Sequence, residues 1–388
     1  MAQRVWIIGA GFSKSLGGPL MSDLLRPEVP AKLQAAYPQR EFPRLAQNIV
    51  HSVTAVYAHG TRYFDGKVRS SDVGEWLWDD AEQFLDYVDS ALWGGPESAA
   101  FKTLDRVLHM IRREQDAFSN KSNPIHAAAV FSAAARRLVA GSCSAFLRGA
   151  DLNSERWEPY VFWARQLSRD DTLITFNYDV VPELLAAKTD TLAVVMPGSS
   201  RPTNKAAVLK LHGSVNWCLR AAERVPIMSL TGAESVAFEA REDPDFALRC
   251  EDDEIAIAGP GPRKRIMANW LNALWTEALQ AIRNAEAVFF LGYRFPPSDA
   301  QARKKILDEL RSNTRDYLGV QTILAGSGDT DRLIRLLRFS LHERHERGTP
   351  KYDQEKRDFN LLAHPLYVED YLSTVPMGLA EEPWRMPH

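Results

Sequence analysis

Apolar residues fall along this chain in short runs of strand length, separated by longer stretches with helical spacing. The first run, Val5-Trp6-Ile7-Ile8, stops at Gly9-Ala10-Gly11. It predicts a buried parallel strand over 4–8 that feeds a tight turn and then a helix. Comparable runs predict strands at 173–176, 193–196, 208–211, 287–291 and 320–325. Over 75–93, Trp78, Ala81, Leu85, Val88 and Leu92 recur at helical spacing with acids between them, the pattern of an amphipathic helix. A second helix is predicted over 124–148, which opens on Pro124 and runs through an alanine-rich stretch. Helices are also predicted over 264–284, 298–310 and 331–339. Residues 220–262 look irregular, with β pieces at 225–230 and 254–258 and a firm break at Gly259-Pro260-Gly261-Pro262.

Strands that alternate with helices predict an α/β fold: a Rossmann-like, mostly parallel sheet with helices on both faces. The strand-poor stretch reads as a large helical insertion. The expected organisation is a sheet domain from 1–30 and 166–346, a helical subdomain at 31–165, and a tail at 347–388. That tail is charged at first and rich in proline, and is open to wrapping the body, reaching another copy or a partner, or staying mobile. In such sheets ligands bind beyond the carboxyl ends of the strands, and the polar motifs below all fall there.

Composition narrows the function classes. The chain has 388 residues, 45 % hydrophobic and 25 % charged, as in ordinary soluble domains. Its 47 basic and 50 acidic residues leave a net charge of -3. No whole-molecule attraction to nucleic acid or anionic membrane follows, and no direct nucleic-acid binding is predicted; a local basic groove stays open. The three cysteines, Cys143, Cys218 and Cys250, include no C-x-x-C pair and cannot make a four-cysteine zinc site. The start lacks the long apolar region of a signal peptide, and no apolar run reaches the ~20 residues of a membrane span. A cytoplasmic location is expected.

Glycines in a strand-to-helix turn let the backbone approach a pyrophosphate, which the next helix meets with its amides. An ordinary turn uses them equally well. The G-x-G-x-x-G fingerprint fails at Lys14, and no G-K-[ST] follows. His212 follows an apolar strand and precedes Gly213; it suits either proton transfer near neutral pH or a strand-end hydrogen bond. Asn177 is a ligand-gripping amide or a turn asparagine. Asp179 orients a hydroxyl or caps the helix that starts near Val181. Gly292, Gly326, Ser327 and Gly328 sit at strand ends, where a small residue either leaves room for a base or sugar or serves an ordinary turn. His342 and His345 show no ligand set for a metal.

Four blocks together resemble the sirtuin-like family. Gly9-Ala10-Gly11-Phe12-Ser13 with Gly17-Gly18-Pro19 is similar to its G-A-G-x-S opening, and Thr175-Phe176-Asn177-Tyr178-Asp179 to its T-x-N-x-D block. Lys210-Leu211-His212-Gly213-Ser214-Val215-Asn216-Trp217 resembles the K-L-H-G-S block. Phe290-Leu291-Gly292-Tyr293, with Asp299 beyond, resembles the G-Y-S…D block. The blocks keep the family's order across 9–299. The missing zinc cysteines and the insertion resemble the bacterial anti-phage NAD hydrolases of the group more than its protein deacylases. Arg294 stands where the family has serine, and suits pairing with a phosphate.

The resemblance implies cleavage of the nicotinamide–ribose bond of NAD, with no zinc. It implies His212, Asn177 and Asp179 as catalytic residues. Gly9, Ala10, Gly11, Phe12 and Ser13 would bind the cofactor, with Ser13 and the Gly11 amide meeting phosphate. Gly213, Trp217, Gly292, Tyr293, Arg294, Asp299, Gly326 and Ser327 would complete the cofactor contacts, Trp217 as a wall of the nicotinamide pocket. A toxic hydrolase implies inhibition at rest, relieved by homo-oligomeric assembly or by a partner such as a defence-system ATPase or nuclease. NAD-dependent deacylation, ADP-ribosyl transfer and a non-catalytic nucleotide-sensing module are the alternatives.

Overall fold

A computed structural model describes residues 3–24, 28–50, 124–221, 236–252, 254–258, 267–296, 299–346 and 358–374. The helix expected at 75–93, the β piece at 225–230 and the break at 259–262 lie outside the described residues. The strands are β1 (Arg4–Ile8), β2 (Thr172–Thr175), β3 (Leu192–Val194), β4 (Ala206–Lys210), β5 (Gly213–Ala221), β6 (Val236–Ala240), β7 (Ile255–Ile257), β8 (Ala287–Leu291), β9 (Tyr317–Ile323) and β10 (Asp358–His364). The helices are α1 (Val29–Ala36), α2 (Pro43–Val50), α3 (Pro124–Ala145), α4 (Glu158–Ala164), α5 (Val181–Thr189), α6 (Phe246–Arg249), α7 (Asn272–Asn284), α8 (Ala300–Arg311), α9 (Ser327–Glu346) and α10 (Val368–Thr374).

The chain divides into two compact units. One comprises Met1–Gly18, Gly149–His212 and Leu271–His388. It holds a seven-stranded sheet in the order β10-β9-β8-β1-β2-β4-β3. All its pairings are parallel, and helices cover both faces: the architecture is a Rossmann-like α/β fold. β1 and β8 are buried at every position, as central parallel strands with two covered faces must be. At the amino end, Arg4 donates two hydrogen bonds of 2.6 Å to the carboxylate of Asp171. Trp6 Nε1 adds one of 3.3 Å. This buried pair ties β1 to the turn before β2.

The strand order reverses between β1 and β8. From β1 the chain builds β2, β4 and β3 on one side, then crosses to build β8, β9 and β10 on the other. The carboxyl ends of the strands at such a reversal are where sheets of this kind take ligands.

The second unit comprises Pro19–Arg148 and Gly213–Trp270. Its described part combines α1, α2, α3 and α6 with a three-stranded antiparallel sheet in the order β6-β5-β7. Arg137, fully buried on α3, donates to the carbonyls of Ala247 and Cys250 at 2.9 and 3.1 Å. The division differs from the one the sequence suggests. Residues 213–270 join the helical stretch rather than the parallel-sheet domain, because β5 turns away to pair with β6 and β7. Residues 149–165 belong to the sheet unit. The tail supplies that sheet's edge strand, β10, and α10, which packs on α4. Among the described residues no helix is long and apolar enough to cross a membrane.

Candidate active site at the strand-order reversal

The loops after β1 and β8 meet backbone to backbone. Gly9 N–H donates to the Leu291 carbonyl at 3.0 Å and Gly11 N–H to the Gly292 carbonyl at 3.1 Å. A Cβ on Gly9 would lie 2.6 Å from Gly292 O, and one on Gly11 2.8 Å from Gly292 Cα. Gly292 itself has φ +62° and would place a Cβ 2.5 Å from the Gly11 carbonyl carbon. The three glycines are thus required by each other, before any ligand is considered. The Gly11 amide expected to face a phosphate is instead bonded to Gly292. Ala10–Phe12 closes as one 3-10 turn. Phe12 is buried edge-on to Tyr160 and Trp163, and the Tyr160 hydroxyl donates to the Phe12 carbonyl at 2.7 Å. Lys14 is exposed at this turn.

The loop after β2 ties itself to that turn. Asn177 Nδ2 donates to the Gly9 carbonyl at 3.0 Å and to Ser13 Oγ at 3.4 Å. Ser13 is fully buried, and its hydroxyl donates to Asp179 Oδ2 at 2.8 Å. Asp179 Oδ1 accepts the Val181 amide at 3.1 Å, at the start of α5. Lys210 Nζ donates to the Asp179 carbonyl at 2.6 Å and to Glu183 Oε1 at 2.9 Å. Burial pushes the Asp179 carboxyl above the usual range, against the opposing pull of Lys210, the Ser13 hydroxyl and the Val181 amide. Ser13, expected at a phosphate, is an internal link here. The donors of Asn177 are committed to the glycine turn, and its acceptor oxygen is the part available to a ligand.

His212 stands on the same edge. The preceding Leu211 amide donates to the Thr175 carbonyl at 3.0 Å, continuing the β2–β4 ladder to its end. The imidazole meets Phe176 edge-on at 5.0 Å and lies over Tyr178 at 6.2 Å. Phe176 in turn stacks on Tyr293 at 4.9 Å. His212 Nε2 is 3.9 Å from Asp299 Oδ1, with both side chains buried. The Tyr293 hydroxyl is buried without a hydrogen-bond partner among the described residues. Burial, with Asp299 nearby, pushes its pKa well above the ordinary value, so it is a donor and not a base. Arg294 is exposed. Phe295 follows at φ +53°, a strained value for a residue with a Cβ.

The structure therefore brings Gly9, Gly11, Ser13, Asn177, Asp179, His212, Gly292, Tyr293 and Asp299 to one stretch of sheet edge. Gly326 and Ser327 lie further out, where β9 passes into α9. Gly213 and Trp217 belong to the other compact unit. There a Cβ on Gly213 (φ +79°) would meet Ala256 O at 2.0 Å, and Trp217 is fully buried against Phe238. Gly213 thus answers to the β5–β7 contact, and Trp217 to the interior of its own unit. Tyr160 and Phe176 were not expected at the site. Phe176 sits inside a recognisable motif, whereas Tyr160 carries no local signal, since its role depends on α4 reaching the glycine turn. Among the described residues no cluster of histidine, cysteine and carboxylate side chains is suited to hold a metal ion. No protein-family model matches the chain, and no curated protein matches it in sequence.

Proposed function

We propose that this chain is an NAD hydrolase that splits the bond between nicotinamide and ribose, releasing nicotinamide and ADP-ribose. One observation carries the reading. The loops after the adjacent strands β2 and β4 set Asn177 and His212 beside the glycine turn, at the reversal of strand order. A dinucleotide laid across that reversal would have its glycosidic bond within reach of an amide acceptor and an imidazole.

The chemistry asks for little acid catalysis. The bonding electron pair leaves with a neutral nicotinamide, and positive charge grows on C1′ and the ring oxygen. Water adds to C1′ and must give up a proton. Asn177 Oδ1 is suited to hold a ribose hydroxyl or that water, and His212 to take the proton. Asp179 supports the site from beneath by accepting from Ser13, which in turn holds Asn177.

The commitment of Ser13, Asn177 and the Gly11 amide to internal bonds favours a second reading. A site so fully satisfied suits a sensor that binds a nucleotide without turning it over. Nicotinamide release separates the two. The parent, alone or with its activating partner, is expected to release nicotinamide, and His212→Ala and Asn177→Ala to lose about 10²-fold or more of that rate. Binding with no release in any state would overturn the hydrolase and leave the sensor. Inhibition at rest, relieved by a partner protein or by assembly, belongs to the same proposal, and equal turnover by isolated and assembled protein would remove it.

A further inference from the structure

Asp299 is the residue immediately before α8, the position where an aspartate ordinarily accepts hydrogen bonds from first-turn amides. It makes no such cap bond. Its backbone amide donates to the Pro296 carbonyl at 3.0 Å. Its carboxylate, 5 % exposed, lies with Oδ1 3.9 Å from His212 Nε2. The route to this position is unusual. Among the described residues between β8 and α8, the backbone takes a left-handed conformation at Gly292 (φ +62°) and at Phe295 (φ +53°). Phe295 holds its strained turn by packing against Phe290 and Tyr293 at 5.3 and 5.0 Å. Strain of this kind persists only where the surroundings over-determine it.

We infer that Asp299 is a positioning residue for His212, fixing which imidazole nitrogen carries the proton and balancing the ring when it becomes charged. The inference rests on the hydrolase reading for its catalytic consequence, but not for the pairing itself. A buried carboxylate beside Nε2 favours the proton on that nitrogen and leaves the lone pair on Nδ1. Phe176 at the ring's edge and Tyr178 over its face oppose rotation. In the hydrolysis step, water oxygen bonds to C1′, and the C1′–nitrogen pair departs with nicotinamide. The water proton passes to Nδ1, and the imidazolium so formed has the Asp299 carboxyl group 3.9 Å from its Nε2. In the low-dielectric interior the attraction of a carboxylate for that cation is several times stronger than in water. Asp299 touches no reacting atom.

The test separates this role from helix capping. Full-length protein labelled with 15N at histidine, with His212→Gln to assign the resonance, reports the His212 tautomer. The parent is expected to show the Nε2–H form, and Asp299→Asn and Asp299→Ser to lose that preference. Serine keeps a capping side chain, so a purely structural role predicts full rescue by Asp299→Ser. The positioning role predicts kcat for nicotinamide release about 100-fold lower in both variants with KM little changed, and partial recovery in Asp299→Glu. An unchanged His212 tautomer in both folded variants, or full activity in Asp299→Ser, would overturn the inference. A parent that shows the tautomer shift but never releases nicotinamide would support the pairing and defeat the hydrolase.

Discussion

Two ends of one sheet edge are built on different principles. At the strand-order reversal, Gly9, Gly11 and Gly292 touch backbone to backbone, and a buried network of Ser13, Asn177, Asp179 and Lys210 ties three loops together. At the outer end, Gly326 turns at φ +96° into open space, with nothing within 4 Å of where a Cβ would sit. There the polar links are neutral: His364 Nε2 and the Tyr371 hydroxyl both meet Gln321 Oε1, at 3.0 and 2.9 Å. The comparison teaches that a glycine at a strand end is not by itself a ligand contact. The inner glycines are needed by the protein's own packing, and the outer one only for its backbone angle.

The largest expected difference is in stability. Gly292→Ala combines left-handed strain with a direct overlap and should cost about 3 kcal/mol or more. Gly326→Ala meets only the backbone preference and should cost about 1 kcal/mol. Urea unfolding of the two variants measures this, and equal losses would break the comparison. Next in size is the loss of a hydrogen bond. Ser13→Ala removes the donor to the buried Asp179 Oδ2, at a cost of about 1–3 kcal/mol. Tyr371→Phe leaves Gln321 still bonded to His364 and should cost no more than about 1 kcal/mol.

The smallest effects are in pH dependence, and they have opposite signs. Burial raises the Asp179 pKa above 3.8. Its contribution to stability is therefore full below that ordinary value and is lost as pH rises through the raised one. Burial lowers the His364 pKa below 6.5. Its contribution is full above 6.5 and is lost as pH falls through the lowered value. Unfolding midpoints compared between the parent and Asp179→Asn should drift against the parent as pH rises from about 4. Those compared between the parent and His364→Gln should drift against the parent as pH falls from about 7. The same drift direction at both ends would contradict the assignment.

The parallel strands were legible because strands covered on both faces read as unbroken apolar runs, as in Val5–Ile8 and Ala287–Leu291. β10 was not. Asp358-Phe359-Asn360-Leu361-Leu362-Ala363-His364 mixes polar and apolar residues, as an edge strand covered on one side does, and follows a charged stretch. β5 was also hidden. Gly213–Ala221 begins inside a motif that drew attention to its polar residues, and its partners β6 and β7 come later in the chain. Within the site, Asn177, His212 and Asp299 were identifiable as residues, but their relations were not. The pairing of Asp299 with His212, and of Asn177 with Gly9, depends on strand order, which no local pattern encodes. Gly213 and Trp217, carried with His212 in the block that resembles K-L-H-G-S, lie in the other compact unit, which begins directly after the imidazole.

The most direct measurement of the central claim is the stoichiometry of products from NAD, followed by mass spectrometry for the parent, His212→Ala and Asn177→Ala, each with and without any activating partner. The account predicts one nicotinamide and one ADP-ribose for each NAD consumed by the parent, and near-complete loss of both products in the two variants. Intact NAD with the parent under every condition, or undiminished products from His212→Ala, would contradict it.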